Sequence, residues 1–98
     1  MRIEYKDDDL RRLAEDRDFH PKRWGSDIIR AYRKKIQILN AAKDDRDLLA
    51  MRGLRLESLS GGRAGTSSIR INDQFRLILT FTTEGSRVVV VLELVDYR

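Results

Sequence analysis

The chain has no cysteine, and its 98 residues include one histidine, one proline and one tryptophan. Without cysteine there is neither a disulfide framework nor a thiolate zinc site, and a lone imidazole among scattered acids gives no metal-ligand spacing. Long apolar runs are absent too: none approaches the roughly 20 residues of a transmembrane helix, and MRIEYKDDDL carries no signal-peptide core. The expectation is a cytoplasmic protein with no metal, cofactor or membrane contact. Its length suits one domain over residues 1–98 with a single modest core.

Charge, by contrast, is plentiful. Lys and Arg total 20 against 16 acidic residues, a net charge of +4 that leans towards a polyanionic partner without compelling one. Both signs are mixed through both halves, so any anion site must come from where charges are placed.

IEY at residues 3–5 predicts a short strand, and the DDD run at 7–9 suits a helix start, where carboxylates meet orphan amides and the positive dipole end. Leu10, Leu13 and Ala14 give that helix one apolar side, and FHPKRWG at 19–25 breaks it. Ser26 is the expected N-cap of a longer helix over 27–42, with Asp27 in its first turn. Ile28, Tyr32, Ile36, Leu39 and Ala42 recur at helical spacing and form its buried stripe. DDRDLLAM, 44–51, allows one or two more turns before Gly53. Beyond lie RLESL, a flexible SGGRAGTSS loop and three runs rich in β-branched and aromatic residues. The fold class is therefore α+β, with N-terminal helices packed on one face of a small, mainly antiparallel sheet.

The stretch SIRINDQFRLI fixes a register. A two-residue turn at Asn72 and Asp73 sets Ile71 against Gln74 and Ile69 against Arg76, mixing apolar with polar on both faces. A three-residue loop, Asn72 to Gln74, instead opposes Ile71 to Phe75, Arg70 to Arg76 and Ile69 to Leu77, and segregates the faces. Closing the next turn at Glu84 and Gly85 then opposes Phe81 to Val88, Leu79 to Val90, Leu77 to Leu92 and Phe75 to Leu94 as the core face. Arg76 falls opposite Glu93, and Arg70, Arg76, Glu93, Val95 and Tyr97 share the other face, made partly apolar by Ile78, Val89 and Val91. Two opposed arginines repel by up to about 1 kcal/mol, and Glu93 offsets only one charge. Either they are solvated surface groups, or the uncompensated charge awaits an anion, for which the guanidinium fork best matches a phosphodiester.

With RGLRLESLSGGRAG, SIRINDQFRLI and the terminal LVDYR following an amphipathic helix, the chain resembles the RelE/ParE toxin superfamily, and most of all its HigB-type killer proteins. The resemblance covers residues 52–98 well and the helical half in outline. It implies a compact sheet with helices on one side and a ribosome-dependent endoribonuclease that cleaves mRNA in the A site. It also implies silencing by a cognate antitoxin, usually a helix-turn-helix protein of the HigA kind, through which alone operator DNA is reached. Arg70 and Arg76 match the family's arginines and are expected to hold the scissile phosphate. Tyr97 matches the terminal tyrosine, with three roles open: orienting the 2′-hydroxyl, stacking on a base or taking part in proton transfer. Arg63, in the loop, is expected to contact RNA backbone or ribosomal RNA.

Many HigB-type members carry His and Lys where this chain has Glu57 and Ser60, and many end in DYH where it has Arg98. Arginine cannot give up its proton near neutral pH, so Arg98 can stabilise charge but not act as base. Glu57, Asp96 and Tyr97 remain for proton transfer. Glu57 is expected to point towards the arginines; Asp96, by strand parity, towards the core.

His20, beside Pro21, reads as a solvated loop residue. Arg30, Arg33, Lys34 and Lys35 form the wet face of a helix, which in a ribosome-dependent enzyme also grips ribosomal RNA. Trp24 is expected to be a packing anchor. Two other readings remain open: a ParE-like DNA gyrase inhibitor that cuts no RNA, and a catalytically degenerate member that only binds.

Overall fold

A computed structural model describes residues 1–97; Arg98 lies outside the described residues. Strand β1 (Arg2–Tyr5) leads into helix α1 (Asp8–Glu15), then α2 (Ser26–Ala41) and the short α3 (Asp45–Ala50). Four more strands follow: β2 (Glu57–Ser58), β3 (Ser67–Arg70), β4 (Phe75–Glu84) and β5 (Ser86–Asp96), with 3-10 turns at Arg52–Leu54 and Gly61–Arg63. The sheet order is β1-β5-β4-β3-β2, antiparallel throughout except that β1 runs parallel to β5. No helix among the described residues is long and apolar enough to cross a membrane.

The acidic run starts α1 as expected: Asp7 is the N-cap, its carboxylate accepting from the Leu10 amide, with Asp8 and Asp9 in the first turn. The longer helix begins one residue earlier than its sequence suggests. Gly25 is its N-cap, no side chain caps it, and Ser26 is already helical. Its stripe is Ile29, Tyr32, Ile36, Leu39 and the following Ala42, with Ile28 only partly buried. These pack with Leu10, Leu13 and Trp24 against Ile69, Ile71, Leu77, Leu79, Val89 and Val91 of one sheet face. The helices thus cover one side of the sheet, Trp24 is a packing anchor, and the Tyr32 hydroxyl donates to the Leu10 carbonyl at 2.8 Å.

The three-residue loop is present. Arg70 pairs with Arg76 and Ile69 with Leu77, and the Asn72 side chain accepts from the amides of Gln74 (2.9 Å) and Phe75 (2.8 Å). An asparagine turning on its own backbone in this way sets the loop length and with it the register. The second hairpin departs from expectation. The chain reverses about Gly85, at φ 77°, with Glu84 opposite Ser86. This shifts the pairing by one residue, so Phe81 faces Val89 and Leu79 faces Val91. Val89 and Val91 therefore belong to the core, while Val88 and Val90 are buried outside that cluster and share the face of Thr80 and Thr82.

A β-bulge between Ile78 and Leu79 then skips Leu92, so that Ile78 opposes Glu93, Leu77 opposes Leu94 and Arg76 opposes Val95. The extra residue reverses the inside-outside alternation of β5. As a result Glu93 and Val95 fall on the arginine face after all, and Tyr97 continues their alternation.

Candidate functional site

The second face of the sheet carries the loop between β2 and β3. Thr80 donates from its hydroxyl to the Gly65 carbonyl at 3.0 Å, and Arg63 bonds Glu93 at 2.9 Å, drawing the loop onto the strands. Glu93 is thus the partner of Arg63 and stands opposite Ile78; it does not compensate Arg76. The carboxylate also raises the Arg63 guanidinium pKa, first by hydrogen bonding and then by charge.

Arg76 is the best-held cation of this face, its side chain only 12% exposed. Its Nε donates to the hydroxyl of the fully buried Ser68 at 2.9 Å. Its Nη2 donates to the Arg55 carbonyl at 2.6 Å and, more weakly, to that of Ser68 at 3.4 Å. Glu57 approaches the same nitrogen at 3.9 Å, and the guanidinium carbon lies 5.9 Å from the centre of the Tyr97 ring. Among the described residues Nη1 makes no hydrogen bond, so the fork is fixed on one side and open on the other. Such a guanidinium is pre-organised for an anion, because the protein has already oriented it.

Arg70, across the strand pair, takes the loop carboxylate of Asp73 as its ion-pair partner. The repulsion expected between the opposed arginines is met by separate partners: Asp73 for Arg70, and Ser68, Arg55 and Glu57 for Arg76. Arg55, Arg70, Asn72, Asp73, Arg76 and Tyr97 line a cleft of about 400 Å³. Tyr97 is 54% exposed at its edge, its backbone amide anchored on the Gln74 carbonyl at 2.7 Å. Asp96 lies opposite Phe75 and accepts from the Gln74 side-chain amide at 2.8 Å. On α2, burial lowers the Lys35 pKa, and the charge of Arg70 lowers it further. The cleft is an electropositive hollow.

Four of the residues singled out from sequence therefore converge around the cleft: Arg70, Arg76, Tyr97 and Glu57. Arg63 stands beside it, paired with Glu93. The remaining helix cations do not join them. Arg33 differs from an RNA-gripping cation: its guanidinium donates to the carbonyls of Leu13, Asp16 and Phe19 at 2.9, 3.1 and 3.2 Å, closing the C-terminal end of α1 and the chain beyond. Arg30 pairs with Asp27 at 3.7 Å, while Lys34 borders apolar grooves along α2. His20 is exposed beside one of these grooves, away from the cleft. Sequence reasoning passed over Arg55 and Ser68. A signal for Ser68 was available, since the residue two places before Arg70 shares its face beside Arg76.

Among the described residues no cluster of His, Cys, Asp and Glu is suited to a metal ion. A five-stranded sheet with helices on one face and an arginine cleft on the other places the chain in the class of RelE/ParE-like folds. The solved YoeB/ParE toxin from Agrobacterium tumefaciens has this fold, covering the whole of both chains with a TM-score of 0.58 at 17% identity. More specifically, the family model for the RelE-like toxin of the type II toxin-antitoxin system HigB matches residues 3–98, and the chain belongs to this HigB-like toxin family. Toxin HigB-1 of Vibrio cholerae serotype O1 is 41% identical over 78 residues, 80% of this chain and 81% of that protein. Membership of a type II system implies a cognate antitoxin as partner.

Proposed function

We propose that this toxin is a ribosome-dependent endoribonuclease that cleaves mRNA in the A site by attack of the message's own 2′-hydroxyl. In that reaction the 2′-oxygen bonds to phosphorus, the 5′-oxygen of the next nucleotide leaves, and a cyclic phosphate and a free 5′-hydroxyl result. The chemistry needs a base for the 2′-hydroxyl, positive charge for the crowded phosphorane and a proton for the leaving oxygen. Arg76, held by Ser68 and the Arg55 carbonyl with no hydrogen bond to Nη1 among the described residues, is the observation that carries this reading. It takes the phosphoryl oxygens, with Arg70 beside it. Glu57 is assigned to accept the proton, a role supported by its approach to Arg76 at 3.9 Å. Tyr97 lies at the cleft edge, where its ring stacks on a base or its hydroxyl orients the sugar.

In this reading the partners are mRNA on the ribosome and a HigA-like helix-turn-helix antitoxin, in the cytoplasm, with operator DNA reached only through the antitoxin. Asp96 is assigned to proton transfer, and Arg63, Arg98, Arg30, Lys34 and Lys35 to contact with RNA or the ribosome. A translating extract supplied with labelled message tests the assignment. Transcripts broken at codon positions by wild type and spared by Arg76→Ala support it. Intact transcripts together with trapped gyrase–DNA complexes replace it with a gyrase inhibitor.

A further inference from the structure

Arg55 combines three observations that belong together. Its backbone is left-handed, at φ 50° and ψ 53°, and it is the one non-glycine residue with positive φ among those described. At the three other positive-φ positions, Gly61, Gly65 and Gly85, the chain uses glycine. A side chain with a Cβ is disfavoured in this region, so a long cation there stands against the local backbone preference. Residues held in such conformations concentrate at functional sites. Second, the carbonyl of this strained residue is the one that receives Arg76 Nη2 at 2.6 Å. Third, Arg55 lines the cleft and is exposed, yet among the described residues its guanidinium has no carboxylate within ion-pair distance. Its neighbours are all paired: Arg70 with Asp73, Arg76 with Glu57, Arg63 with Glu93.

We propose that Arg55 is a further substrate-binding residue of the cleft, its guanidinium taking a phosphate of the bound RNA strand while its main-chain carbonyl holds Arg76 in place. The left-handed turn aims the carbonyl at Arg76 and keeps the residue exposed at the cleft. Without an ion-pair partner among the described residues, Arg55 offers its charge to an incoming phosphodiester. This assignment rests on the nuclease reading above.

Replacement by glycine separates the two roles, because glycine accepts the left-handed backbone without strain and keeps the carbonyl. The test compares wild type, Arg55→Gly, Arg55→Lys, Arg55→Gln and Arg76→Ala in the translating extract, alongside their melting temperatures. Arg55→Gly is expected to melt at or above wild type yet cleave at least tenfold more slowly. Lys and Gln meet the same backbone cost, so their comparison isolates charge: Arg55→Lys is expected to recover most of the lost rate and Arg55→Gln little of it. If wild type cuts, Arg76→Ala does not and Arg55→Gly cuts at the wild-type rate, the Arg55 assignment is overturned and the nuclease reading stands. Equal rates for the Lys and Gln variants overturn it as well. If wild type leaves the message intact, the nuclease reading falls first and takes this assignment with it.

Discussion

The contact between Arg76 and Ser68 allows a quantitative test of how the cleft is held. Ser68 is fully buried and its hydroxyl receives Arg76 Nε at 2.9 Å, with the arginine side chain itself only 12% exposed. Ser68→Ala leaves a largely buried, charged N–H without that partner, which costs about 1–3 kcal/mol. For a domain of this size each kcal/mol lowers the melting temperature by about 4–8 °C. In an Arg76→Ala background there is no N–H to strand, so the same substitution is nearly neutral. Urea unfolding of wild type, the two single variants and the double variant therefore gives a coupling energy of about 1–3 kcal/mol. Distant, independent sites add to within about 0.5 kcal/mol. Additivity of that quality between Ser68 and Arg76 refutes the idea that the serine holds the arginine.

Two further predictions concern other ion pairs and cations. Arg87 grips Asp45 with both prongs, at 3.1 and 3.0 Å, tying α3 to β5, and the Asp45 carboxyl lies below its ordinary value of 3.8, chiefly through that hydrogen bond. A depressed carboxyl contributes stability that is present above the ordinary value and lost as pH falls through the folded one. Both side chains are about a third exposed, so the contribution is at most about 1 kcal/mol. Asp45→Asn is expected to remove that loss from melts taken below pH 4, whereas an unchanged profile contradicts the pairing. Along α2, Arg33→Ala is expected to lower stability by about 1–3 kcal/mol through the carbonyls it strands. Lys34→Ala stays within about 0.5 kcal/mol of wild type; equal effects in urea unfolding contradict the assignment of Arg33 to the backbone.

How far the sequence foretells this arrangement depends on the information each segment carries. The first hairpin is legible because only a three-residue loop separates apolar from polar across Ile69, Arg70, Arg76 and Leu77. Asn72 then supplies the side-chain bonds that enforce it. The second hairpin is not, because the VVVV run in β5 is buried on both faces and loses the alternation that sets register. Burial of Val88 and Val90 depends on tertiary covering that no local pattern announces. The bulge is equally silent in sequence, yet it restores Glu93, Val95 and Tyr97 to the expected face, so the arginine side is right for a reason other than the pairing first inferred.

The candidate site shows the same limit. Arg70, Arg76 and Tyr97 stand out by residue type and parity, and Glu57 by alternation with Leu56. Arg55 and Ser68 act through a main-chain carbonyl and a buried hydroxyl, roles that their residue types do not advertise. Arg33 is the converse: it sits in a basic run with Lys34 and Lys35, but the backbone behind α1 is what it binds.

If, as proposed, this cleft cuts RNA with the RNA's own 2′-hydroxyl, removal of a single oxygen atom abolishes the cut. A message with one 2′-deoxynucleotide at a mapped cleavage position is to be translated in an extract containing the toxin, and the ends mapped by primer extension. Cleavage at that position is expected to disappear while cuts at unmodified positions continue. Cleavage undiminished at the 2′-deoxy position contradicts the proposal.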